Sequence, residues 1–137
     1  MDNLLRIRNK MRLRYSQEVV LKPKDIAITP PDEYLLERIQ SVLDDYLVKS
    51  SFSTEEFAAA LGFSRMQLHR KLKALTGLSA TEFIRSQRLK LAAQILETSD
   101  ANVSEVCYQI GFNNLSYFAK CFKEAYGVSP SQYPKKD

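Results

Sequence analysis

The chain has 137 residues, 45% of them apolar, and a net charge of +4. That length holds one compact domain, or a small domain with an extension, and the apolar share suffices for a core. No apolar run approaches the ~20 residues of a membrane-spanning helix, and Arg6, Arg8 and Arg12 break any signal-peptide pattern at the start. The one histidine, His69, and the two cysteines, Cys107 and Cys121, lack metal-ligand, disulfide or redox spacing, so neither metal nor cofactor is expected. Plain buried or half-buried thiols fit a cytoplasmic protein. Charge is segregated. Residues 31–61 carry seven acids and two bases, whereas residues 65–90 carry seven bases and one acid. One surface should therefore be strongly positive and another negative.

Residues 1–14 pair Leu4, Ile7 and Met11 with Arg6, Arg8, Lys10, Arg12 and Arg14, a short basic amphipathic helix. A linker follows to Pro30-Pro31, so the chain divides into residues 1–30 and a domain over 31–137. A first main helix runs from about Asp32 to Val48 on Leu35, Ile39, Val42 and Tyr46. A second opens at Ser53, which forms a capping box with Glu56 inside a Phe52/Phe57 hydrophobic staple, and ends at Gly62. The third opens on a Ser64/Gln67 box and stops at Gly77. The fourth and longest starts with Ser79 and Glu82 and runs to about Glu97, apolar on two sides as suits a connecting helix. Asn102 with Glu105 caps a fifth; Asn113 or Asn114 caps a sixth, which ends at Gly127. Ser129-Pro130 starts a short last one. No strand pattern is present. The expected fold class is all-α: two helix–turn–helix subdomains joined by a long connecting helix, with seven main helices.

The punctuation repeats. Gly62-Phe63 and Gly111-Phe112 lie 49 apart, and after one inserted residue Leu72/Phe122, Gly77/Gly127 and Ser79/Ser129 lie 50 apart. The faces repeat as well. In the third helix Leu68, Leu72 and Leu75 face inward, with Met66, His69, Arg70 and Lys73 opposite and Arg65 at the N-terminal edge. In the sixth, Phe118, Phe122 and Ala125 face inward, with Ser116, Ala119, Lys120 and Lys123 outward. Phe112, Phe118, Phe122, Tyr126 and Tyr133 read as core by phase; Tyr117 is the exception, within reach of a phosphate.

A cation-bearing helix face suits double-stranded DNA. The major groove is about 12 Å wide and admits one helix, and arginine pairs bidentately with guanine. The helix starts at Ser64 and Asn114 offer N–H groups to phosphate. Two such helices on one rigid body would meet groove segments about 34 Å apart. Arg85 and Arg88 leave two options open, ion pairs with the acids of the first helix or phosphate contact. No paired carboxylates, activated nucleophile or phosphate-cradling glycine loop stands out, so no catalytic residue is assigned and an enzyme is not expected. The remaining rival is a helical protein-interaction module without DNA binding.

SRMQLHRKLKALTG, EFIRSQRLKLAAQIL and GFNNLSYFAKCFKEAYGVSPSQY together resemble the AraC-type DNA-binding domain of bacterial transcription regulators, over about residues 32–135. The resemblance implies recognition helices at about 65–76 and 115–126 in the major groove. By position it implies a base-facing set of Arg65, Met66, His69 and Arg70 in the first. In the second the set is Ser116 and Lys120, with Asn114 and Leu115 near the start. Ser64, Lys73 and Lys123 fall to phosphate. Met66 and Leu115, being apolar, would meet thymine methyls or sugars, or make no contact. Ala119 cannot hydrogen-bond, which inclines the second helix toward phosphate anchoring. The resemblance also implies an activator that recruits RNA polymerase. LLRIRNKMRLRYSQ ahead of such a domain is similar to the C-terminal effector part of hybrid two-component regulators and related response regulators. A receiver would then precede residue 1, and any homodimer would form through that preceding sequence, with no membrane involved.

Overall fold

Residues 29–134 are described by a computed structural model; the basic helix expected at 1–14 and the linker up to residue 28 lie outside the described residues. Six α-helices and one 3-10 turn make up the described chain, without a strand. They are α1 (Pro30–Tyr46), α2 (Thr54–Leu61), α3 (Arg65–Thr76), α4 (Ala80–Thr98), α5 (Val103–Gln109) and α6 (Leu115–Tyr126). The seventh expected helix is the single 3-10 turn Pro130–Gln132.

α1 begins two residues before the expected Asp32. Thr29 caps it: its hydroxyl accepts from the Asp32 N–H at 3.3 Å, while the Thr29 N–H donates to the Asp32 carboxylate at 3.5 Å. Pro30 and Pro31 then occupy the first helical positions, where a missing N–H costs nothing. The helix ends at Tyr46 and not at Val48, because the carbonyls of Leu47 and Lys49 turn to the Arg88 guanidinium at 2.9 and 2.8 Å.

The chain forms two compact units. Among the described residues the first comprises 29–46 and 52–84. Its buried apolar side chains include Leu35, Ile39 and Leu43 of α1, Phe57 and Leu61 of α2, Leu68 and Leu72 of α3, and Phe83 at the start of α4. The expected staple is present, with the rings of Phe52 and Phe57 5.5 Å apart across the cap at Ser53. Phe57 continues the stack to Phe83 at 6.2 Å. A fully buried side chain of this size contributes about 1.5–3 kcal/mol, so these rings fix α2 against its neighbours. The Arg38 guanidinium closes the far end of α2 by donating to the Leu61 carbonyl at 2.7 Å.

The second unit comprises 47–51 and, among the described residues, 85–134. Val106, Cys107, Ile110, Phe112, Phe118, Cys121 and Phe122 are buried in it. Its aromatic ladder runs from Phe112 to Phe118 (5.2 Å), Phe122 (5.9 Å) and Tyr126 (4.7 Å), with Tyr133 edge-on to Phe122. The Tyr133 hydroxyl donates to the Glu97 carboxylate at 2.7 Å, holding the 3-10 turn against α4. Both cysteines are free and buried, as their spacing suggested. Burial pushes the Cys107 thiol up from its ordinary value, so it stays protonated.

Candidate nucleic-acid interface

In the first unit α3 is the exposed member of a helix–turn–helix pair. It starts on a complete capping box: the Ser64 hydroxyl accepts from the Gln67 N–H at 3.1 Å, and the Ser64 N–H donates to the Gln67 side chain at 2.8 Å. Gly77 ends it in the left-handed conformation. Leu68 and Leu72 are fully buried, and Leu75, in the last turn, is half-buried. Met66, His69, Arg70 and Lys73 are all exposed on the opposite side, Met66 to 67%. The expected division of α3 into a core face and a cationic face therefore holds. Arg65 is exposed too, but its guanidinium meets the Glu55 carboxylate of α2 at 3.2 Å. Such a solvated pair is worth little and yields readily to a stronger anion. Arg70 and Lys71 also line an open cleft of about 520 Å³ with Gln67, Ala74, Leu75 and, from α1, Asp32.

α6 repeats the arrangement in the second unit with changes. Asn114 is the cap, its side-chain oxygen accepting from the Tyr117 N–H at 2.9 Å. With that oxygen engaged, the Asn114 amide nitrogen is the group left for an outside partner. Phe118, Cys121 and Phe122 form the buried face. Ala125, expected inward, is exposed. Its phase is right, yet in the last turn it is the neighbouring Tyr126 ring, 4.7 Å from Phe122, that packs onto the core. Ser116, Lys120 and Lys123 are exposed as expected, and Ala119 is half-buried. Leu115 keeps 38% of its surface and Tyr117 47%.

Arg88 takes backbone carbonyls as its partners. Its guanidinium is engaged by the Leu47 and Lys49 carbonyls, and burial lowers its pKa. An arginine in protein remains cationic all the same. Arg85 donates to the Tyr117 hydroxyl at 3.3 Å. Neither partner choice was readable, because a carbonyl acceptor or a phenol thirty-two positions away leaves no mark in local pattern. Among the described residues no group of three or more His, Cys, Asp or Glu is placed to hold a metal, and no helix is long and apolar enough to cross a membrane.

The two units thus each present a capped helix with exposed cations, following a short helix and a glycine turn. A family model described as a helix-turn-helix domain matches residues 57–136. The chain belongs to the AraC-type helix–turn–helix family of DNA-binding transcription regulators. Over 134 residues it is 37% identical to histidine kinase P4 of Formosa agariphila, the match covering 98% of this chain and 10% of that protein. It thus spans about a tenth of that relative's length. Among solved structures it is similar to the C-terminal domain of the two-component response regulator yesN from Fusobacterium nucleatum subsp. nucleatum. That likeness has a TM-score of 0.67 and 26% identity, covering 73% of this chain and 97% of that one. It is also similar to the DNA-binding domain of AdpA, a global transcriptional factor solved in complex with a target DNA. There the TM-score is 0.64 and the identity 30%, over 69% of this chain and 85% of that one.

Proposed function

We propose that residues 31–137 are the sequence-specific, double-stranded-DNA-binding domain of a bacterial transcription activator, acting in the cytoplasm and without enzymatic activity of its own. The observation that carries this reading is the recurrence, fifty residues apart, of exposed cations on capped helices: Arg70 with Lys73, and Lys120 with Lys123. Arg70 is the principal base reader and pairs with a guanine. Met66 and His69 flank it, and Arg65 exchanges Glu55 for a base edge. In the second unit Lys120 and Ser116 face the bases, with Leu115 against a thymine methyl and the Asn114 amide at the rim. Ser64, Lys73 and Lys123 serve phosphate.

The alignment with a histidine kinase extends over nearly all of this chain, residues before α1 included. That supports placing the chain as the effector end of a hybrid two-component regulator, with residues 1–30 leading in from a preceding part through which a homodimer forms. Recruitment of RNA polymerase is the expected output.

Fluorescence anisotropy with an operator duplex tests the reading. Arg70→Ala is expected to weaken binding by about 1–3 kcal/mol and to relax preference at one base pair. Lys120→Ala either does the same at a second base pair or lowers the salt slope by about one unit. Duplex affinity that ignores ionic strength, with Arg70→Ala silent, would instead support a helical module that binds protein.

A further inference from the structure

Tyr117 stands at the third position of α6, fixed at both ends. Its ring lies 6.0 Å from that of Phe112, which is buried. Its hydroxyl accepts from the Arg85 guanidinium at 3.3 Å. Its backbone N–H is taken by the Asn114 cap. A side chain so held still keeps 47% of its surface open. A phenol that accepts from a cation retains its own O–H hydrogen to give away. The neighbouring positive charge polarises that O–H and makes it a stronger donor. Lys120, one turn further along at i+3, is exposed on the same flank. An anion meeting this flank would find a preset neutral donor backed by the Arg85 cation.

We infer that the Arg85–Tyr117 pair is a phosphate anchor of the second unit, with the Tyr117 hydroxyl donating to a non-bridging oxygen of one DNA phosphodiester and Arg85 acting through it. The inference rests on the DNA-binding reading above. The first unit has no counterpart. The residue fifty positions earlier is Gln67, and its side chain folds back 2.8 Å onto the Ser64 N–H. The anchor therefore gives the second unit a way to hold the backbone that its poorer set of base-facing groups does not supply.

The test uses the full chain and an operator duplex recovered by selection from random sequence. Tyr117→Phe keeps the ring contact and removes only the hydroxyl. It is expected to weaken binding about tenfold, the worth of a hydrogen bond to a charged group. The slope of log affinity against log salt stays unchanged, because no charge is lost, whereas Lys123→Ala, which removes a phosphate-facing charge, reduces it. In a scan of single methylphosphonates, one position weakens the wild type and leaves Tyr117→Phe unaffected. Arg85→Met weakens binding too, and adding Tyr117→Phe to it costs less than the two separate losses combined. Tyr117→Phe binding the operator as the wild type does, or losing the same factor at every methylphosphonate position, overturns the anchor while DNA binding stands. A wild-type chain that selects no sequence and binds duplex without salt dependence fails the parent reading, and the anchor with it.

Discussion

In the first unit the turn glycine, Gly62, has φ of +76° and nothing within 4 Å of where a Cβ would sit. In the second, Gly111 has φ of +102°, and its Cβ would lie 2.9 Å from Arg88 Nε and 3.1 Å from the Leu47 carbonyl oxygen. The same residue at the same place in the repeat thus answers two needs. Gly62 supplies only a left-handed turn. Gly111 supplies the turn and also the space through which Arg88 reaches the Leu47 carbonyl. The difference runs through both motifs. Lys71 is exposed, and its ammonium lies 5.9 Å from the Phe63 ring, while its counterpart Cys121 is buried. The first copy keeps a narrow buried stripe and a broad cationic face. The second has widened its core at the expense of that face.

The largest expected effect tests this widening directly. Cys121→Lys places an unpaired ammonium among Phe118, Phe122 and their neighbours, at a cost of at least about 3 kcal/mol. The mirror change, Lys71→Cys, loses only a solvated cation–π contact worth about 0.5–1 kcal/mol. Urea denaturation of the two variants would measure the contrast. Equal stability would mean that the two helices do not differ in how much of their circumference is buried.

Next come the two glycines. Gly62→Ala is expected to cost about 1–2 kcal/mol, the penalty of a side chain in the left-handed region. Gly111→Ala pays that and adds about 1–3 kcal/mol of crowding against Arg88 and Leu47. Arg88→Ala should shrink the gap between the glycine variants without closing it, since the Leu47 oxygen stays in place. Thermal denaturation of the four proteins gives the coupling, and glycine variants of equal stability would remove the clamp from the account.

The sequence carried the punctuation well and the clamps poorly. Ser64, Gln67, Asn102, Glu105 and the glycines announce helix ends because capping chemistry is local: donor and acceptor sit three residues apart. The core and cationic faces of α3 were equally plain, since Leu68 and Leu72 against Met66, His69, Arg70 and Lys73 follow helical phase. Phase alone failed at Ala125, because it says which way a residue points and not which neighbour fills the space, and there the Tyr126 ring packs on Phe122. Local pattern offers Arg88 only an ion pair or a phosphate contact, although it binds carbonyls about forty residues away. Every residue has a carbonyl, so nothing in the sequence marked those of Leu47 and Lys49. The base-facing set rests on phase together with family resemblance. Its members Arg65 and Asn114 show what such a reading omits, the groups of this chain that already engage them.

The smallest contrast lies at the third residue of each recognition helix. In α3 the Gln67 side chain holds the Ser64 N–H, so Gln67→Ala should cost the first unit about 0.5–1 kcal/mol, half of a capping box. It should also speed hydrogen exchange of the Ser64 amide, which loses its acceptor. In α6 the cap is complete without the Tyr117 side chain, because Asn114 accepts from the Tyr117 backbone. Tyr117→Phe should therefore leave stability within about 0.5 kcal/mol of the wild type. The two substitutions would separate in opposite directions: Gln67→Ala registers in folding, Tyr117→Phe in DNA affinity alone. A clear loss of stability in Tyr117→Phe would mean that its hydroxyl serves the fold, and that both copies spend their third helical position on the same task.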